Sequence, residues 1–190
     1  IKSFFVRLIS SKIIFKLIFP IIKFAYKNDI TLIKKLLTND PKPHKKENFP
    51  SEYKFRLSQT QINDIIFQFK NLKYLRKLRE INYRAYSEGI KNEKIIFFHN
   101  KQNLLNENAY LNFPIIVKDK NKFISYMLDN EIDISPQFYR SVNELSFLSK
   151  YSKTTKLIQD SVSNLVTLPT YSGINKYYIR KIIETINRYR

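Results

Sequence analysis

The sequence predicts an α+β fold: a small sheet with helices packed on it. Two observations carry this prediction. From residue 58 onward, apolar side chains recur in steps of one, three or four, the signature of a long amphipathic helix. From residue 94 onward, short apolar runs alternate with helical patterns, in the order strand, helix, strand, helix, strand, helix.

Residues 1–38 read as helical pieces, the first broken at Pro20 and the second carrying Ile30, Ile33, Leu36 and Leu37 at helical spacing. The run Asn39-Asp40-Pro41-Lys42-Pro43 ends this pattern, because a proline pushes its predecessor out of the helical region. A polar connector reaches Pro50. One continuous helix is then expected from Ser58 to Glu88, with Ile62, Ile65, Ile66, Phe69, Leu72, Leu75 and Leu78 as its stripe. Ser58-Gln59-Thr60-Gln61 reads as a capping box, and Gly89 stands where a left-handed C′ residue is expected. Strands are expected at 94–99, 111–117, 132–134 and 165–168. Helices are expected at 120–130 behind Asp119, at 143–150, at 154–164, and after Asn175 with Ile179, Ile182, Ile183 and Ile186 inward.

Composition removes several function classes. A 43% hydrophobic and 15% aromatic content excludes a disordered chain. With two glycines, the chain holds neither a P-loop nor a glycine-rich dinucleotide fingerprint. The absence of cysteine removes disulfides, thiol nucleophiles and thiolate metal sites, while His44 and His99 show no ligand spacing. A formal charge of +18 raises nucleic acid as a partner, and a basic nucleic-acid- or ribosome-associated protein is the alternative function. Apart from the dense run Lys42 to Lys46, however, the basic residues are spread along the chain rather than gathered in a stripe. The apolar stretch from Phe4 to Tyr26 is interrupted by Arg7, Lys12, Lys16 and Lys23 and broken by Pro20. It fits an amphipathic pair that docks on protein or rests on a membrane surface through residues 1–27, not a spanning helix.

Candidate binding residues come from chemistry first. Arg56 lies just before the capped helix start, and Lys54 alternates with Tyr53 and Phe55. A helix N-terminus flanked by cations suits phosphate or carboxylate, whereas the plain alternative is a capped helix with solvated charges. Tyr139 and Tyr171 lie in loops after short strands, where they either contact substrate or pack at a domain edge.

The segment Arg56-Leu57-Ser58-x-x-Gln61, then Phe113-Pro114-Ile115-Ile116-Val117, then Glu131-Ile132-Asp133 and the closing Leu168-Pro169-Thr170-Tyr171, resembles in order and spacing the DegT/DnrJ/EryC1/StrS family of aminotransferases. These enzymes use pyridoxal 5′-phosphate and mostly act on nucleotide-linked keto-sugars. The resemblance covers nearly all of residues 51–190, and the apolar N-terminal helices resemble an insertion in one branch of the family. It implies that residues 90–190 are the C-terminal small domain of a fold-type I transferase, a small, mostly antiparallel sheet with helices on one face. Residues 51–89 would be the linking strand and helix, and residues 1–50 a helical insertion and connector.

The resemblance further implies a cytoplasmic homodimer that moves an amino group from an amino-acid donor to a keto-sugar, for surface polysaccharide or related glycans. It makes Arg56 and then Lys54 the contacts to the cofactor phosphate or another anion, and Tyr139 and Tyr171 contacts to substrate. The Schiff-base lysine belongs to a large domain that would precede Ile1, so the chain alone is expected to be inactive and prone to aggregation. Two departures stand out. Lys54 replaces a frequent Asn, offering a point charge in place of an amide. Glu131 replaces the Gly of a Gly-Ile turn, so that turn's chemistry is expected to differ.

Overall fold

The computed structural model describes residues 12–28, 30, 54, 56–97, 108–136 and 156–190. Beyond Ile30, the expected second helical piece lies outside the described residues, as do the helix expected at 143–150, the run Lys42 to Lys46, His99 and Tyr139. The elements in chain order are helices α1 (Lys12–Lys27), α2 (Gln59–Lys70) and α3 (Leu72–Gly89), then strands β1 (Ile96–Phe97) and β2 (Asn112–Ile116). There follow α4 (Lys120–Asp129), β3 (Ser135–Pro136), α5 (Lys156–Ser163), β4 (Leu165–Pro169) and α6 (Lys176–Arg188).

The four strands form one antiparallel sheet in the order β1-β2-β4-β3. The long pairing is β2 with β4, where Phe113 faces Leu168 and Ile115 faces Val166. β4 lies between two neighbours, and Leu165 through Leu168 are all buried, as a central strand requires. Alternation along β2 puts Phe113 and Ile115 on the core side. There Phe113 meets Tyr83 at 4.6 Å and Tyr86 at 5.4 Å from α3, and Phe97 of β1 at 5.8 Å, in tilted or edge-on geometry. Ile179, Ile182 and Ile186 of α6 and Phe123, Met127 and Leu128 of α4 complete the same core.

Capping chemistry sets three of the helix starts. Ser58 and Gln61 form the reciprocal capping box of α2, with the Ser58 amide donating to Gln61 Oε1 at 2.8 Å. Asp119 accepts from the Lys122 amide at 2.9 Å, and Asn175 accepts from the Tyr177 amide at 2.9 Å.

Four expectations are corrected. The helix after Ser58 is not continuous. Asn71, at φ −100° and ψ 9°, ends α2 and opens α3, and its side-chain amide donates to the Phe67 carbonyl at 2.8 Å. Such side-chain bonding to the preceding turn competes with helix propagation. Gly89 is not left-handed; it is the last residue of α3, and a Cβ there would lie 2.9 Å from Ile183 Cδ1 of α6. Its small size serves close helix packing, not a turn. Pro20 lies inside α1 and does not break it. The strand expected at 132–134 instead comprises Ser135 and Pro136.

The turn after α4 keeps a glycine-like shape. Glu131 has φ 59°, its amide donates to the Leu128 carbonyl at 3.0 Å, and the Ile132 amide donates to the Met127 carbonyl at 2.9 Å. That pair of bonds is a Schellman motif, with Ile132 and Met127 as its buried apolar contact. The expected change of turn chemistry therefore does not occur; the geometry stands, and glutamate bears its strain.

Candidate functional site

The predicted site residues fall in two places. Arg56 and Lys54 are exposed ahead of α2. Lys54 belongs to a 3₁₀ turn, so the two cations do not alternate along one extended strand. Arg56 sits two residues before the capping Ser58, near a helix start whose first amides are answered by Ser58 and Gln61. A phosphate offered at this point would meet the positive end of α2 and one or two cations. No described side chain closes around them. The residues present can lend charge to a phosphate group from outside, yet they do not build a pocket for pyridoxal phosphate.

Tyr171 lies in the second place, on the loop after β4. It is 55% exposed, while the backbone beneath it is held from several directions. Buried Asn82, in the middle of α3, donates to the Thr170 carbonyl at 3.2 Å and the Tyr171 carbonyl at 3.1 Å. The Tyr86 hydroxyl donates to the Pro169 carbonyl at 3.0 Å. The Thr170 hydroxyl lies 2.6 Å from the Tyr110 carbonyl and 2.7 Å from the Leu111 carbonyl. Burial holds the Tyr86 phenol far above its ordinary pKa, so it stays a neutral donor. The sequence pattern marked Asn82, Tyr86 and Thr170 as unremarked helix and loop positions. Only a polar residue on the apolar stripe of α3, namely Asn82, could have signalled this support.

The loop opens onto a cavity of about 840 Å³ whose walls include Phe19 of α1, Tyr171, Tyr177 and Tyr178, with Asp133 between them. Solvent reaches Asp133, but it stands in a recess, and the surrounding protein raises its carboxyl pKa by desolvation. Burial, first of all, likewise raises the Tyr178 pKa. α1 reaches this wall because Lys23 and Lys27 both bond Asp129 at the end of α4, at 3.0 and 2.8 Å. A separate recess gathers Lys94, Lys118, Lys120, Lys122 and Arg190 with Glu93 and Asp119. Desolvation lowers the Lys120 pKa there. Among the described residues, no cluster of His, Asp and Glu is placed to hold a metal ion.

Residues 32–187 match the DegT/DnrJ/EryC1/StrS aminotransferase family, and the chain belongs to it. Aminotransferases of this family use pyridoxal phosphate. Solved structures agree in fold. Sugar aminotransferase CalS13 from Micromonospora echinospora aligns over 63% of this chain and 32% of its own, at 17% identity and a TM-score of 0.55. DesV from S. venezuelae aligns over 84% and 43%, at 12% identity and a TM-score of 0.60. A DegT DnrJ EryC1 StrS aminotransferase from Brucella abortus aligns over 83% and 42%, at 16% identity and a TM-score of 0.59. The chain thus spans between about a third and two fifths of the length of these proteins. No curated protein matches the chain.

Proposed function

We propose that this chain is the C-terminal part of a pyridoxal phosphate-dependent sugar aminotransferase, with residues 90–190 as its small domain and residues 51–89 as the linking segment. The complete, cytoplasmic protein would move an amino group from an amino acid to a nucleotide-linked keto-sugar, for surface polysaccharide or related glycans. The cofactor supplies the electron sink for that exchange. What this chain contributes is positioning: Arg56, with Lys54 beside it, offers charge to a phosphate, and Tyr171, with Tyr139, faces substrate.

One observation carries the reading. α2 has no buried residue, and Ile62, Ile65, Ile66, Phe67 and Phe69 are between 37% and 77% exposed, directly after Arg56. An apolar ridge of that size on a water-facing helix marks a surface meant to be covered. The large domain and a homodimeric partner are the covering bodies this reading supplies, and chain 1–190 alone would be inactive.

The coding DNA upstream of Ile1 tests this. An open frame with a glycine-rich large domain and a Schiff-base lysine is the expected finding. The enlarged product should then take up pyridoxal phosphate, with its absorbance band above 300 nm as readout, on the order of tenfold more weakly after Arg56→Ala. A stop codon immediately upstream would overturn the catalytic reading. The basic recess around Lys118 and Lys122 is where the nucleic-acid alternative would act. That alternative requires binding that falls steeply with salt.

A further inference from the structure

The cavity beneath Tyr171 has a chemistry that phosphate and carboxylate ligands do not suit. Its walls include the aromatic side chains of Phe19, Tyr171, Tyr177 and Tyr178. The carboxylate of Asp133 stands among them, and no described residue forms an ion pair with it. Desolvation raises its pKa, and Lys16, also on the cavity wall, makes no described ion pair with it. Glu131, also on the wall, meets Lys181 at 3.6 Å and points part of its charge there.

Tyrosine and phenylalanine faces attract cations through their quadrupoles, and the attraction grows when the cation is desolvated. A partly desolvated carboxylate with no ion-pair partner among the described residues gains from the same ligand. Tyr177 and Tyr171 are 73% and 55% exposed, so their rings are free to close on a guest. We propose that this cavity binds an ammonium-bearing ligand, seated between the tyrosine rings with Asp133 as its counter-ion. α1 is part of the site through Phe19, and the Lys23 and Lys27 bonds to Asp129 hold that wall in place.

Tyr171 is shared with the substrate reading above, yet this inference does not depend on turnover. The experiment is saturation-transfer difference NMR on the full 190-residue chain, a method that needs little protein. The probes are choline, its neutral isostere 3,3-dimethyl-1-butanol, and ethanolamine. Choline is expected to give a saturable signal that the isostere lacks. Asp133→Asn and Tyr177→Leu, both at solvent-accessible positions, should each weaken choline binding about five- to tenfold with an unchanged circular dichroism spectrum. Ethanolamine equal to choline would identify a primary ammonium as sufficient, while choline alone would identify a quaternary guest. Equal signals from choline and the neutral isostere would overturn the proposal, as would choline binding that survives Asp133→Asn. A failure here leaves the cofactor-uptake test untouched, since that is read from absorbance on the enlarged product.

Discussion

Glu131 carries a left-handed backbone angle, φ 59°, that a β-carbon resists by roughly 1 kcal/mol. Its ion pair with Lys181 is long, and its side chain is 79% exposed, so little is lost with it. Glu131→Gly is therefore expected to raise stability by about 1 kcal/mol in urea denaturation. Thr185 poses the opposite case. It is 1% exposed, and its hydroxyl has no hydrogen-bond partner among the described residues, so its desolvation is uncompensated. Thr185→Val, of equal shape, should stabilise by up to about 1 kcal/mol. Asn82 lies between these extremes. Its amide serves two carbonyls of the Tyr171 loop, and Asn82→Leu should cost about 1–3 kcal/mol by leaving both without their donor. Amide exchange at residues 170–173 would rise locally if the loss is confined to that loop.

At the scale of elements, capping residues were legible because they act over three or four positions. Ser58 with Gln61, Asp119 and Asn175 all start helices as their spacing implies. What the sequence hid depended on contacts distant along the chain. Gly89 reads as a helix stop, but its purpose is the approach of Ile183, over ninety residues later. Asn71 lies within an unbroken apolar stripe, and its local bond to Phe67 outweighs that periodicity. Glu131 hides a glycine-like turn because no composition rule anticipates a strained glutamate.

One carboxylate fastens the end of α1, whose Ile22 and Ala25 are also buried and whose Phe19 packs on the core. Asp129 has its pKa lowered from 3.8, chiefly by hydrogen bonds from Lys27 and then Lys23. A depressed folded-state pKa means the contribution is whole above the unfolded value and is lost as pH falls through the folded one. The Asp129 bonds should thus persist at neutral pH and loosen the end of α1 only below pH 3.8, which Tyr and Phe ring NMR shifts around Phe19 would report.

At the scale of the molecule, the sheet and its core were legible in outline, since Phe113, Ile115, Val166 and Leu168 alternate or run as buried strands do. The candidate site was legible only in part. Arg56 and Lys54 are exposed ahead of α2, and no described side chain closes around them. The exposed ridge of α2 predicts self-association: replacing Ile65 and Phe69 together by Glu should shift the chain toward monomer in sedimentation velocity without lowering its melting temperature. No described helix is long and apolar enough to cross a membrane. The outer face of α1, with Leu17, Ile21 and Phe24 at 70%, 55% and 60% exposure, is a second surface of this kind. Flotation with anionic vesicles, compared with a chain starting at Asp29, would tell whether lipid covers it.

Two asparagines close the core in a reciprocal way. Asn187 of α6 accepts from the Lys91 amide at 2.8 Å and donates to the Gly89 carbonyl at 2.9 Å, so it caps the end of α3. Asn92, just past α3, donates to the Ile186 and Tyr189 carbonyls at 2.7 and 2.8 Å, so it caps the end of α6. Tyr189 then lays its ring on Phe123 at 5.0 Å. Residues 187–189 consequently clasp α3 to α6, and replacing Asn187 and Tyr189 together by Ala would uncouple two helices at once.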